Sequence, residues 1–218
     1  MGCGLTAHDL LELRGLPMPM ADEMPAWLPG AFALAPFAVV RRAAAPSGYV
    51  AVGFRGAVRA QRYGTLISRD AIITVVSPEQ LRDRPVAAAR SKLNVFRALR
   101  LIAENQLLGD EAWGPTGSVG FELATGRATA TETSDLDLLI RAPSRTKQSD
   151  ARLARERLRE VERAMGLRID VQLETPAGGV ALSEWAEGKP RVMVRSASGP
   201  SLTHDPWATA DRLSEAQY

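Results

Sequence analysis

An α+β fold in two parts follows from three features of this 218-residue sequence. Short β-branched and aromatic runs, separated by Gly and Pro, fill the first part. Beyond Pro85, helix-period apolar patterns alternate with short apolar runs that read as strands. Pro85 itself stands where the two regimes change. The expected organisation is a small N-terminal α+β domain over 1–84 and a second domain over 85–218, a mixed sheet flanked by helices.

His8 to Leu13 reads as a short helix, with Leu10, Leu11 and Leu13 apolar and Thr6 or His8-Asp9 available to start it. Pro17, Pro19, Pro25 and Pro29 then exclude a long helix. Phe37 to Arg41 and Tyr49 to Phe54 read as strands around the Pro46-Ser47-Gly48 turn, and Ile72 to Val76 as a third. In the second part Leu93, Phe96, Leu99, Ile102, Ala103 and Leu107 recur at helical spacing up to Gly109. Leu136 to Ile140 is a strand. Ser149-Asp150 caps an amphipathic helix whose Leu153, Leu158, Val161 and Met165 share a face before Gly166. Arg168 to Leu173 and Val192 to Arg195 complete the strands, and Asp205-Pro206-Trp207 forms a tail with Trp207 as a packing anchor.

Hydrophobic residues at 45% and charged residues at 24% are ordinary for a soluble globular chain. A formal net charge of +2 gives no reason to expect nucleic acid. The longest apolar run, Ala31 to Val40, is broken by Pro36 and is too short to span a bilayer. Nothing at the start reads as a signal peptide, although Met1 to Thr6 matches the loose M-G-x-x-x-[ST] myristoylation pattern. The single cysteine, Cys3, excludes an internal disulfide and a cysteine-based zinc cluster, which fits a reducing cytoplasm. A soluble cytoplasmic protein without membrane or nucleic-acid partners is expected.

The chemistry is concentrated in "WGPTGSVGFELATGRATATETSDLDLLIR", Trp113 to Arg141. Side chains alternate along a strand, so Asp135 and Asp137 share one face while Leu136 and Leu138 pack on the core. Two such carboxylates repel unless a cation neutralises them. Mg2+, with Mn2+ as the alternative ion, prefers oxygen ligands and keeps positions open for phosphate oxygens. Ile169-Asp170-Val171 places a third acid on a later strand, and three acids can hold two metal ions for phosphoryl or nucleotidyl transfer. Upstream, Gly117-Ser118 supplies a turn where backbone N–H groups and a hydroxyl can meet a phosphate. A D-x-D pair alone is common on exposed strand faces, and the order of all three features is what separates this one. No Gly-Lys-[Ser/Thr] follows the glycines, which excludes a Walker A loop. A helix and Trp113 precede them, where a dinucleotide-binding motif needs a strand.

This order resembles the active-site signature of the polymerase-β-like nucleotidyltransferase superfamily. Reading outward, "WGPTGSVGFELATG", "TSDLDLLI", "IDVQLETPAGGVALSEWA" and "HDPW" resemble the malonate decarboxylase holo-acyl-carrier-protein synthase family (phosphoribosyl-dephospho-CoA transferase, MdcG). "HDLLEL", "FAVVRRA" and "GYVAVGFRG" are similar to that family's first domain, so the likeness spans nearly the whole chain. The resemblance implies a polymerase-β-like second domain. It also implies transfer of the prosthetic group from 2′-(5″-triphosphoribosyl)-3′-dephospho-CoA to a serine of the apo acyl carrier subunit of malonate decarboxylase, with release of pyrophosphate. Asp135 and Asp137 then take the place of the catalytic, metal-binding aspartates, and Asp170 that of the third carboxylate, as metal ligand or base. Gly117 and Ser118 would cradle the triphosphate, and Arg141, Arg145 and Lys147 would neutralise its charge.

Basic residues are nearly all arginine, Lys92, Lys147 and Lys189 being the exceptions. Arg41, Arg42, Arg55, Arg59, Arg62 and Arg69 lie between Pro36 and Arg69 with no Asp or Glu among them. Such a segment can steer an acidic carrier protein toward the second domain, or it is a solvated strand face. Two alternatives to the carrier-priming reaction stay open: an adenylyltransferase with another small-molecule or protein acceptor, and a non-catalytic basic adaptor for an acidic protein or RNA.

Overall fold

The computed structural model describes residues 4–17, 24–58 and 60–208. Met1 to Cys3, Pro19 and Arg59 lie outside these residues. No helix among the described residues is long and apolar enough to cross a membrane. The α+β class is observed, as two sheets with helices around the second.

The first sheet is antiparallel, with β1 (Leu10–Leu13), β2 (Phe37–Val40), β3 (Tyr49–Arg55), β4 (Arg62–Ser68) and β5 (Ile72–Val76) in the order β4-β3-β2-β1-β5. The segment expected as a helix at His8–Leu13 is instead a turn leading into β1. Asp9 ties that turn by accepting from the Thr6 N–H at 2.8 Å. β1 lies between β2 and β5 and carries buried leucines on both faces, Leu10 on one and Leu11 and Leu13 on the other, which blurs the alternation that marks a half-buried strand. Leu11 and Leu13 pack with Val40, Val52, Phe54 and Leu28, the last on α1 (Leu28–Leu34). Leu10 and Val76 face the other way and join the core of the second domain, with Phe37 and Val39 packed beside them. Strand β4 was not read from the sequence because Arg62, Gly64, Thr65 and Ser68 give an edge strand little apolar pattern.

The first sheet is complete at Val76, and the short α2 (Pro78–Leu81), started by a Ser77/Gln80 capping box, already packs on the second part. There α3 (Asn94–Glu104) and β6 (Trp113–Pro115) precede α4 (Gly117–Thr125), β7 (Leu136–Arg141), α5 (Gln148–Met165) and β8 (Ile169–Thr175). β9 (Gly178–Ala181), α6 (Leu182–Glu187), β10 (Val192–Ser196) and β11 (Gly199–Thr203) complete the regular structure of the described residues. The six strands order as β11-β10-β9-β8-β7-β6, and only β7 and β8 run parallel, joined by the crossover through α5. Ala151, Leu158 and Val161 form the buried face of α5. Leu153, expected on that face, is 48% exposed, because it lies one position off the i, i+3, i+4 stripe. Trp207 anchors the tail as expected, donating to the Ala142 carbonyl at 2.8 Å and meeting Trp185 edge-to-face.

Candidate active site

Fully buried Leu136 and Leu138 clamp β7 into the core, and each such leucine is worth about 2–5 kcal/mol against alanine. Between them Asp137 faces out. Its partner across the parallel pair is Asp170, so the two carboxylates stand side by side on strands about 4.8 Å apart. The Gly-Ser segment comes to the same place as the first turn of α4. Thr116 at the N-cap donates its N–H to the Asp137 carbonyl at 2.8 Å. Gly117 has φ of 61°, and a side chain there would overlap the Asp137 carboxylate, so only glycine brings this helix N-terminus onto the strand. Gly117, Asp137 and Asp170 all line one cavity of about 910 Å³ between the two sheets.

Asp135 is placed differently. β7 begins at Leu136, and Asp135 precedes it on an exposed shoulder that lines a separate hollow with Glu162 and Arg163. Arg168 borders both spaces and bonds Asp170 Oδ1 through Nη2 at 2.8 Å and Nε at 2.9 Å. Among the described residues, no three His, Cys, Asp or Glu side chains gather closely enough to enclose a metal ion. Asp137 and Asp170 remain a donor set suited to Mg2+, which is commonly held by one or two carboxylates while water and substrate phosphates fill its shell.

Ser118 follows Gly117 into α4, and its carbonyl accepts from Thr129 Oγ1 at 2.7 Å, but it does not line the cavity. Arg141, Arg145 and Lys147 do not reach the cavity either. Arg141 sits at the far end of β7, roughly 13 Å along the strand from Asp137. There it bonds Asp9 at 3.1 Å and Glu79 at 2.6 Å, joining the first domain to the second. Arg145 pairs with Asp205 and stacks over Trp207, and Lys147 is the N-cap of α5.

The arginine-rich first domain divides in the structure. Arg42 pairs with Glu174 on β8, while Arg41, Arg55 and Arg62 line the cavity opposite the carboxylates. His8, read from sequence only as a helix start, lines the cavity too and bonds Gln172 at 3.0 Å. Burial first, then the charges of Arg42 and Arg141, lower its pKa to about 4, so the imidazole is neutral at physiological pH. Glu122 carried no sequence signal beyond its place in a helix. It is buried, and burial opposes its charge, yet bonds from Arg90 and from the Ala130 and Thr129 N–H groups hold its carboxyl below the usual range. These bonds fasten the loop that leads into Asp135 and Asp137 onto α4.

The chain matches family models across both halves. Residues 6–78 match the phosphoribosyl-dephospho-CoA transferase MdcG N-terminal domain, and residues 80–206 match the MdcG C-terminal domain. A phosphoribosyl-dephospho-CoA transferase of Pseudomonas aeruginosa is 44% identical over 209 residues, 95% of this chain and 96% of its own length. One from Pseudomonas putida is 41% identical over 94% of this chain and 96% of its own. Another, from Azotobacter vinelandii, is 40% identical over 92% and 93%. No solved structure matches the chain. With both domain models matched and such relatives aligned end to end, the chain belongs to the phosphoribosyl-dephospho-CoA transferase MdcG family.

Proposed function

We propose that this transferase moves phosphoribosyl-dephospho-CoA from 2′-(5″-triphosphoribosyl)-3′-dephospho-CoA to a serine of the apo acyl carrier subunit of malonate decarboxylase. The observation that carries the reading is the pairing of Asp137 with Asp170 at the N-terminus of α4, inside a cavity with arginines on both walls. A triphosphate needs that combination: cationic walls to bind it, and a carboxylate pair where its α-phosphate reacts.

Asp137 and Asp170 would hold Mg2+, whose charge would offset that of the phosphates when bound, while Asp135 stays outside that pair on its shoulder. The protein's own groups account for the rest. Backbone N–H groups at the start of α4, near Gly117, meet phosphate oxygens with the positive end of the helix dipole. The acceptor serine oxygen attacks the α-phosphorus, the bond to the pyrophosphate breaks, and pyrophosphate leaves with the electron pair. The serine proton passes to Asp170, whose Oδ1 alone is engaged by Arg168, leaving Oδ2 to accept it. The product is a phosphodiester on the carrier.

The test mixes the chain with apo carrier subunit, Mg2+ and the triphosphoribosyl donor and weighs the carrier by intact-mass spectrometry. The expected result is a carrier heavier by one phosphoribosyl-dephospho-CoA. An unmodified carrier, with label passing instead from ATP to another acceptor, would replace this reading with the adenylyltransferase.

A further inference from the structure

The cavity has two arginine walls, and they differ in what neutralises them. On the second domain Arg168 is paired with Asp170, and Arg155 with Glu162 at 2.8 Å. On the first domain the chain from Pro36 to Arg69 contains no Asp or Glu at all. Arg41 and Arg62 form no ion pair with a carboxylate among the described residues.

That first wall is also shaped in advance. Gly53 and Gly64 are cross-strand partners in β3 and β4, on the sheet face turned to the cavity. With no side chains there, the sheet presents bare backbone, and Arg41 lies across it. A β-carbon on Gly64 would overlap the Arg41 guanidinium. The next cross-strand pair on that face is Arg55 opposite Arg62. Packing alone gives no reason for a glycine floor ringed by three guanidinium groups.

We infer that Arg41, Arg55 and Arg62 form a second anion subsite, distinct from the carboxylate centre, that holds a diphosphate. Resting on the donor reading above, the diphosphate is the one that joins adenosine to the pantetheine arm, held while the triphosphate lies at Asp137 and Asp170. The donor carries two separate phosphate groups, and the cavity offers two separate cationic walls. A cavity of about 910 Å³ lies at the upper end of the range for small-molecule sites, as a ligand of that length requires. Recognition of the dephospho-CoA arm is then the work of the first domain, in place of the carrier steering that its charge suggested from sequence.

Titration calorimetry of the full chain tests this with two probes, 3′-dephospho-CoA for the proposed subsite and inorganic tripolyphosphate with Mg2+ for the carboxylate centre. The double variant Arg41→Ala/Arg62→Ala should weaken dephospho-CoA at least tenfold and change tripolyphosphate less than about threefold, since each charge-assisted bond to phosphate carries roughly 1.4 kcal/mol or more. Gly64→Ala keeps every charge and the extended backbone but displaces Arg41, and should weaken dephospho-CoA about threefold or more. Equal dephospho-CoA affinity in wild type and both variants overturns the subsite, as does a wild type that binds none. Steady-state transfer separates this from failure of the donor reading. A wild type that loads no carrier removes the donor reading, whereas normal loading with variants that raise KM for the carrier alone returns the arginines to docking and overturns the subsite.

Discussion

The two walls of the cavity are built on unlike strands. Asp137 and Asp170 sit on the parallel pair β7/β8 inside the six-stranded sheet, locked by leucines on the opposite face. Arg55 and Arg62 sit near the tip of the β3/β4 hairpin at the edge of the five-stranded sheet. Reacting groups must hold position to within a fraction of an ångström, so they belong on central strands whose register the core dictates. Binding groups tolerate more play, and an edge hairpin can carry them. What joins the walls is a strip where Leu10, Phe37, Val39 and Val76 pack on the second domain's core, bordered by Arg42–Glu174, His8–Gln172 and Arg141 with Asp9 and Glu79. The apolar part drives the contact and the polar part sets its register.

The largest effect should come from the chemical wall. Asp137→Asn keeps the shape of the strand but removes the charge, and kcat for carrier loading should fall at least about 10³-fold, roughly 4 kcal/mol. Unfolding midpoint and dephospho-CoA affinity should stay near wild type. A loss of binding with kcat preserved would mean that the two walls do not divide the work in this way.

The junction comes next. Arg141→Ala leaves Asp9, 4% exposed, and Glu79 without their shared cation, at a cost of about 3 kcal/mol or more in urea unfolding. Because the walls would lose their register, transfer should fall with it. Stability lost with transfer unchanged would show that the apolar strip alone aligns the domains. Gly117→Ala addresses the other contact, between α4 and Asp137. Its side chain would need an unfavourable positive φ and would displace the carboxylate, so kcat should drop about 10²-fold with about 1–3 kcal/mol of stability. A crystal structure of this variant with Asp137 unmoved would count against the contact.

Local pattern made one wall readable and left the other hidden. The h-D-h spacing of Asp137 and Asp170, and the glycine before them, survive in sequence because a strand must bury its alternate residues whatever else it does. That β7 begins at Leu136, leaving Asp135 on a shoulder, depends on where pairing with β8 starts, and no single segment carries that information. β1 read as a helix because both its faces carry buried leucines, which blurs the period of two. Arg141 was read as a phosphate ligand since Asp9 and Glu79, far off in sequence, meet it only in the folded chain. The arginine segment was visible as charge. Its division into a cavity wall and an interdomain tie required the sheet's faces.

His8 offers the finest adjustment of the junction. It precedes β1 with φ of 73°, bonds Gln172, and lies beside Arg42 and Arg141, both of which are tied to carboxylates. Its ordinary pKa of 6.5 is lowered to about 4 by burial and by those two arginines. Between these values the unfolded chain takes up a proton that the folded chain refuses, so acid favours unfolding there. The contribution is fully present above pH 6.5 and is lost as pH falls toward 4, amounting to about 2 kcal/mol once the residual exposure of the ring is allowed for. Glu79 and Glu122, whose carboxyls are held below the usual range, titrate lower and leave the window to His8. His8→Asn should therefore flatten the dependence of Tm on pH between 6.5 and 4.5 while keeping a side chain able to bond Gln172. A variant whose Tm falls as steeply as wild type over that window would assign the acid sensitivity of the junction to another group.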